Sequence, residues 1–187
     1  MKGLSTIITL NFVLFISLFV NAQDQKKLSN DSKVTIEGTS SLHDWHSDVK
    51  QVSGSAQLAT DGNKVTSIDQ LDLTFVVKSI ESGKSAMNKN IFKALKEDKN
   101  PNITFKSTSA TVDANGVVTA KGNLTIAGAT KEVTLTANSA VNGSKVTFEG
   151  KTTFNMTEYS VEPPTAMFGT ITTGDEVTIV YSAVFGG

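Results

Sequence analysis

The sequence predicts an all-β domain: about eight antiparallel strands in an up-and-down barrel, with one amphipathic helix between the third and fourth strands. Three observations predict it. Apolar residues recur at period two over most of the chain, Asp-Gly and Asn-Gly dipeptides fall between the alternating runs, and a single segment departs to a helical spacing. Period two with Thr and Ser on the other parity is the pattern of strands with one dry and one wet face.

The strands follow in order. Val34 and Ile36 alternate with Lys33, Thr35 and Glu37 in a first strand at 33–38. A second is expected at 49–58 and a third at 66–77, where Leu71, Leu73, Phe75 and Val77 share a parity. Ile103 and Phe105 mark a strand at 102–112, Leu124 and Ile126 one at 116–127, and Val133 and Leu135 one at 131–141. Val146, Phe148, Phe154 and Met156 place the seventh at 144–156, and Val177, Ile179, Tyr181, Ala183 and Phe185 the last at 175–185. Asp61-Gly62, Asn115-Gly116 and Asn142-Gly143 suit tight hairpins, since each can reach positive φ. From Ser85 to Asp98 the spacing becomes helical, with Met87, Ile91 and Leu95 on one face and Phe92 beside them. Ser85 is the expected N-cap and Pro101 the expected stop. The loop from Tyr159 to Asp175 shows no strand period, and a loop of that length often serves function.

Before the domain, Lys2 and the apolar run Ile7 to Val20 read as a signal peptide over residues 1–22, cleaved after Ala22. Residues 23–32 read as a flexible lead-in, and 33–187 as the barrel domain. The 17 basic and 18 acidic residues balance, so no global field favours nucleic acid. Every basic residue is Lys, which removes the bidentate Arg fork from phosphate or carboxylate recognition. With no Cys there is no disulfide, thiolate metal site or cysteine nucleophile. No phosphate-cradling Gly loop or nucleophile elbow appears, so no enzyme activity is expected. No cofactor is implied. His43 and His46, bracketing Asp44 and Trp45, are the one candidate metal pair, and a packed turn is the plainer reading.

A barrel of about eight strands is either filled by its side chains or holds one small ligand. The helix and the 159–175 loop carry apolar residues that a plain barrel does not need, and both can cover a barrel mouth. Leu73, Phe75, Phe105, Ile126, Phe148, Phe154, Ile179 and Tyr181 are expected to face the bore. Phe92, Leu95, Met167 and Phe168 are expected to cover it. A fully packed, non-binding barrel is the competing reading.

Several segments carry a family resemblance: Gly38 to Trp45, Asn100-Pro101-Asn102-Ile103-Thr104-Phe105, Gly122-Asn123-Leu124-Thr125-Ile126-Ala127-Gly128 through Lys131, and Thr173-Gly174-Asp175-Glu176-Val177. In this order the chain, from about Val34 to its end, resembles the YceI-like family of bacterial periplasmic proteins. Ala127 departs from the His that many members carry. The resemblance implies a lipocalin-like barrel with a long tubular interior for a polyisoprenoid, prenyl quinone or similar lipid, in an exported periplasmic or secreted protein. A transient membrane contact and a homodimer are left open.

Overall fold

A computed structural model describes residues 24–186. The expected signal peptide and its cleavage point lie outside the described residues. The elements are β1 (Asp24–Lys27), β2 (Lys33–Ser40), β3 (Trp45–Val49), β4 (Val52–Asp61), β5 (Lys64–Val76), β6 (Ile80–Glu81), α1 (Ser85–Ala94), β7 (Asn102–Val112), β8 (Val117–Ile126), β9 (Ala129–Asn142), β10 (Lys145–Asn155), β11 (Thr165–Ala166) and β12 (Ile171–Phe185). They form one antiparallel sheet in the order β1-β4-β5-β7-β8-β9-β10-β12-β2-β3-β6, with β11 paired to β12 off this path. The all-β expectation holds, and the run β7 to β10 is the expected meander of sequence neighbours.

Among the described residues the strands number twelve rather than the eight expected. The extra elements have identifiable causes. Asp24–Lys27, expected to fray, pairs with Leu58–Ser55 as β1; a polar edge segment is held by its backbone and shows no apolar alternation. The strand expected at 49–58 is split into β3 and β4 because the chain turns aside at Lys50 and Gln51. There the Gln51 N–H donates to Ser79 Oγ at 2.9 Å and the Lys50 N–H to Ser79 O at 3.1 Å. The 3-10 turn Val77–Ser79 likewise separates β5 from β6, and β11 lies inside the expected loop.

The helix therefore sits between β6 and β7 rather than between a third and a fourth strand, and it ends at Ala94 rather than Asp98. Lys96 takes φ +53 and ends it well before Pro101. Ser85 is the first helical residue, not the cap. The cap position falls on Lys84, which makes no side-chain cap bond. The entry to α1 is instead tied by Asn88, whose Oδ1 accepts from the Ser82 N–H at 2.9 Å and the Ser82 hydroxyl at 2.6 Å.

The sheet curls into an open half-barrel rather than the expected closed barrel, with β1 and β6 as its end strands, and one seam joins the N-terminal part of the domain to its C-terminal strand. β2 pairs with β12, placing Ile36 opposite Ile179 and Val34 opposite Tyr181. Beyond β1, Leu28 bridges Phe185 and the Ser29 N–H donates to Val184 O at 2.7 Å. The registers place the end of β2, the start of β3, α1, the end of β10 and the start of β12 at one end of the shell. The opposite end is plugged by a buried cluster that includes Leu58, Ile68, Val118, Val146 and Phe185, with Phe148 and Phe185 edge to face at 5.8 Å.

Two glycines set the wall. A Cβ on Gly122 would stand 2.7 Å from the Phe105 ring, and one on Gly150 would stand 2.7 Å from the Tyr181 hydroxyl. Each aromatic ring leans across a glycine of the neighbouring strands and lies along the wall rather than across the interior. Gly122→Val is expected to cost about 2 kcal/mol or more by forcing Phe105 out of place, which a lowered urea midpoint would show. Gly62→Ala, at φ +56 in open space, should cost only the backbone strain of about 1 kcal/mol.

Candidate ligand-binding cavity

The curled sheet encloses a cavity of about 620 Å³, within the size range of small-molecule sites. The same alternation that buries one face of each strand aims that face at this space. Val34 and Ile36 from β2, Leu73 and Phe75 from β5, Ile103 and Phe105 from β7, and Ile179 and Tyr181 from β12 all line it.

Ten of the expected residues stand on the cavity. Leu73, Phe75, Phe105, Ile126, Phe148, Phe154, Ile179 and Tyr181 come from the strands, Leu95 follows α1, and Met167 lies at the mouth. Two do not. Phe92 turns one position away from Ile91 and packs on the cluster of Val34, Val49, Val77 and Ile80. Phe168 points into solvent, 110% exposed, because the backbone reverses at the tip of a hairpin. The expectation missed Val34 and Ile36, which share the parity already recognised in that strand, and Leu135 of β9.

Inward-facing residues divide into two groups. Phe105 is 1% exposed and forms wall beneath its neighbours. Leu73, Phe75, Ile103, Phe154 and Ile179 are only half-buried although they face inward. Their remaining surface is exposed to the void, so the side chains do not fill the shell.

The cavity is capped at one end. α1 turns Ala86, Met87, Ile91 and Ala94 toward it. After β10, Asn155 and Glu158 form a capping box around the 3-10 turn Met156–Tyr159, and Asp175 accepts from the Thr157 N–H at 2.9 Å and its hydroxyl at 2.5 Å. This holds Tyr159, 1% exposed, edge to face against Phe154 at 5.2 Å. Val161 is buried beside them. The mouth lies between the 40–43 turn, the start of α1 and the 164–167 segment, where Leu42, His43, Lys84, Pro164 and Met167 line the cavity.

Polar groups are sparse along the lining. The Tyr181 hydroxyl is spent on Thr136 O at 3.0 Å. Ser47 is fully buried against the cavity and its hydroxyl has no hydrogen-bond partner within the described residues. His43 faces the mouth and its Nδ1 lies 2.6 Å from Asp44 O, whereas His46 is on the outer face opposite Glu37. The two imidazoles diverge, and no group of three or more metal-ligating side chains forms among the described residues. Nor is any described helix long and apolar enough to cross a membrane. What the site can do chemically is surround an apolar molecule.

A family match decides the kinship: residues 26–185 match the YceI-like domain. The chain belongs to the YceI-like family. No curated protein matches it. Among solved structures it is similar to BcnA of Burkholderia cenocepacia, with 24% identity and a TM-score of 0.68 over 82% of this chain and 95% of that one. It is also similar to a polyisoprenoid binding domain from Saccharophagus degradans implicated in plant cell wall breakdown, with 13% identity and a TM-score of 0.65 over 89% and 99% of the two chains. The YceI protein of Campylobacter jejuni matches with 18% identity and a TM-score of 0.61 over 75% and 84%. These likenesses establish the YceI-like fold, and the resemblance noted in the sequence is borne out over nearly the whole described domain.

Burial raises the pKa of both tyrosines, Tyr181 by desolvation alone and Tyr159 by desolvation with a further contribution from Glu158. An unfolded tyrosine loses its proton near the ordinary value of 10.0 while the folded one retains it, so stability is full below that pH and falls above it. Urea unfolding across the alkaline range is expected to show this decline, and Tyr181→Phe is expected to make it shallower.

Proposed function

We propose that this YceI-like protein is an exported carrier that holds a long apolar ligand, of the polyisoprenoid or prenyl-quinone kind, in the interior of its shell. The observation that carries the reading is the set of inward, half-buried side chains (Leu73, Phe75, Ile103, Phe154 and Ile179) around an apolar cavity of about 620 Å³. A non-binding domain would gain by filling that space, since an empty apolar void forfeits contacts on every side. Family membership supports the reading, as does the description of one structural neighbour as a polyisoprenoid binding domain. The ten lining residues are the proposed ligand contacts. Export to the periplasm rests on the apolar segment before Ala22.

The physics favours exchange over capture. Burying a methylene from water is worth about 0.8 kcal/mol, so a prenyl chain released into water would bind tightly. In a membrane that chain is already dry, and moving it into an apolar shell gains little. The protein then acts as a reservoir or shuttle in balance with lipid, and its cap sets the rate of exchange. Catalysis forms no part of this reading, because the lining offers neither a nucleophile with its base nor a converging metal set.

Ile179→Trp tests the assignment. The larger side chain enters the void from β12 and should leave the domain folded, with little loss of thermal stability. Uptake of a short-chain prenyl quinone, followed by the quinone's co-elution with the protein in gel filtration, is expected to fall at least about tenfold. Full uptake by a folded Ile179→Trp protein would remove the cavity as the binding site.

A further inference from the structure

Three large apolar side chains stand in solvent at the mouth end: Leu42 is 66% exposed, Met167 69% and Phe168 110%. The registers bring them to one place. Thr165 pairs with Thr172 and Ala166 with Ile171, so Met167 and Phe168 form the tip of a short hairpin. The Ser41 N–H donates to Thr172 O at 2.9 Å and the Thr172 N–H to Ser41 Oγ at 3.1 Å, which fixes Leu42 beside that hairpin. At the tip Met167 takes φ +51 and Phe168 φ +54, the left-handed region that residues with a Cβ occupy at a cost. Both side chains are largely exposed, so side-chain packing does little to offset that cost. Strain of this kind gathers at functional segments.

We propose that this tip is a bilayer-docking surface that seats the cavity mouth on an anionic lipid membrane. Three features select a bilayer as the occupant. Leu42 and Met167 belong both to the exposed patch and to the cavity lining, so the patch adjoins the mouth directly. The patch is a few side chains on a protruding hairpin, far short of the roughly 1,200–2,000 Å² that a stable protein interface buries. The segment from Ser82 to Lys96, at the same end, carries Lys84, Lys89, Lys93 and Lys96, all exposed, and no acidic residue within it. Glu81 precedes this stretch, Glu97 and Asp98 follow it, and Asp44 and Glu162 stand near the patch in sequence. Exposed lysines beside an apolar tip suit a surface of anionic headgroups over hydrocarbon.

The proposal gives the carrier reading a route for its ligand, and rests on that reading for its purpose but not for its geometry. The test is co-sedimentation of the purified protein with two vesicle types, phosphatidylethanolamine with phosphatidylglycerol, and phosphatidylcholine alone. Phe168→Ser is expected to lower partitioning into both by about tenfold or more, the weight of one large apolar side chain. Lys89→Glu with Lys93→Glu is expected to weaken binding to the phosphatidylglycerol vesicles and leave phosphatidylcholine binding unchanged. All three positions are exposed and outside the cavity, so folding and uptake of a short-chain prenyl quinone from detergent solution should match the wild type. Vesicle binding that Phe168→Ser does not alter overturns the proposal. So does a Phe168-dependent dimer in sedimentation velocity, which would assign the patch to a second copy of the chain. Loss of quinone uptake with Phe168-dependent vesicle binding retained would reject the carrier reading and keep the docking surface.

Discussion

Pairing of β2 with β12 joins the beginning of the domain to its end, and the cavity depends on it. Ile36 meets Ile179 and Val34 meets Tyr181 across this seam, and all four side chains face the interior. Without the seam the two halves of the lining would open to water. The contact is long-range, so its loop-closure entropy must be offset by the ladder it completes and the apolar area it covers. The bridge from Leu28 to Phe185 and the bond from Ser29 to Val184 extend the same closure toward the plugged end. The seam also pairs the edges of β2 and β12, which would otherwise be free to recruit other chains.

A second constraint keeps the interior open. Large rings in a small shell would ordinarily fill it. Here Phe105 and Tyr181 are drawn to the wall by Gly122 and Gly150, which have no side chain to push them inward. The Tyr181 hydroxyl is also held by Thr136 O, which leaves its ring as lining rather than as a polar hook. The cap is built in a different way. Its 3-10 turn is tied by Asn155, Glu158 and Asp175, while Phe154 and Tyr159 pack beneath it. Wall and cap are thus held by separate means, and the hairpin beyond them leaves Met167 and Phe168 exposed.

Much of this was legible in the residues. Alternation at Leu73 and Phe75, at Ile103 and Phe105, and at Ile179 and Tyr181 identified both the strands and the face that lines the cavity. What was not legible depends on contacts distant in sequence. β1 shows no alternation because its backbone alone is recruited by β4. The break at Lys50 and Gln51 exists because Ser79, remote in the chain, takes both amide hydrogens. Met167 and Phe168 are adjacent and alike in chemistry, yet the hairpin tip turns one to the mouth and the other to solvent. The void itself leaves no mark in composition, since it follows from where rings come to rest.

Native mass spectrometry of the purified protein, with analysis of an organic-solvent extract, tests the central claim most directly. The account predicts one apolar molecule of isoprenoid character per chain, or stoichiometric loading when the ligand-free protein is offered a prenyl quinone. A protein that emerges empty and takes up no prenyl quinone would contradict it, and would make the cavity a feature of the fold without a lipid to hold.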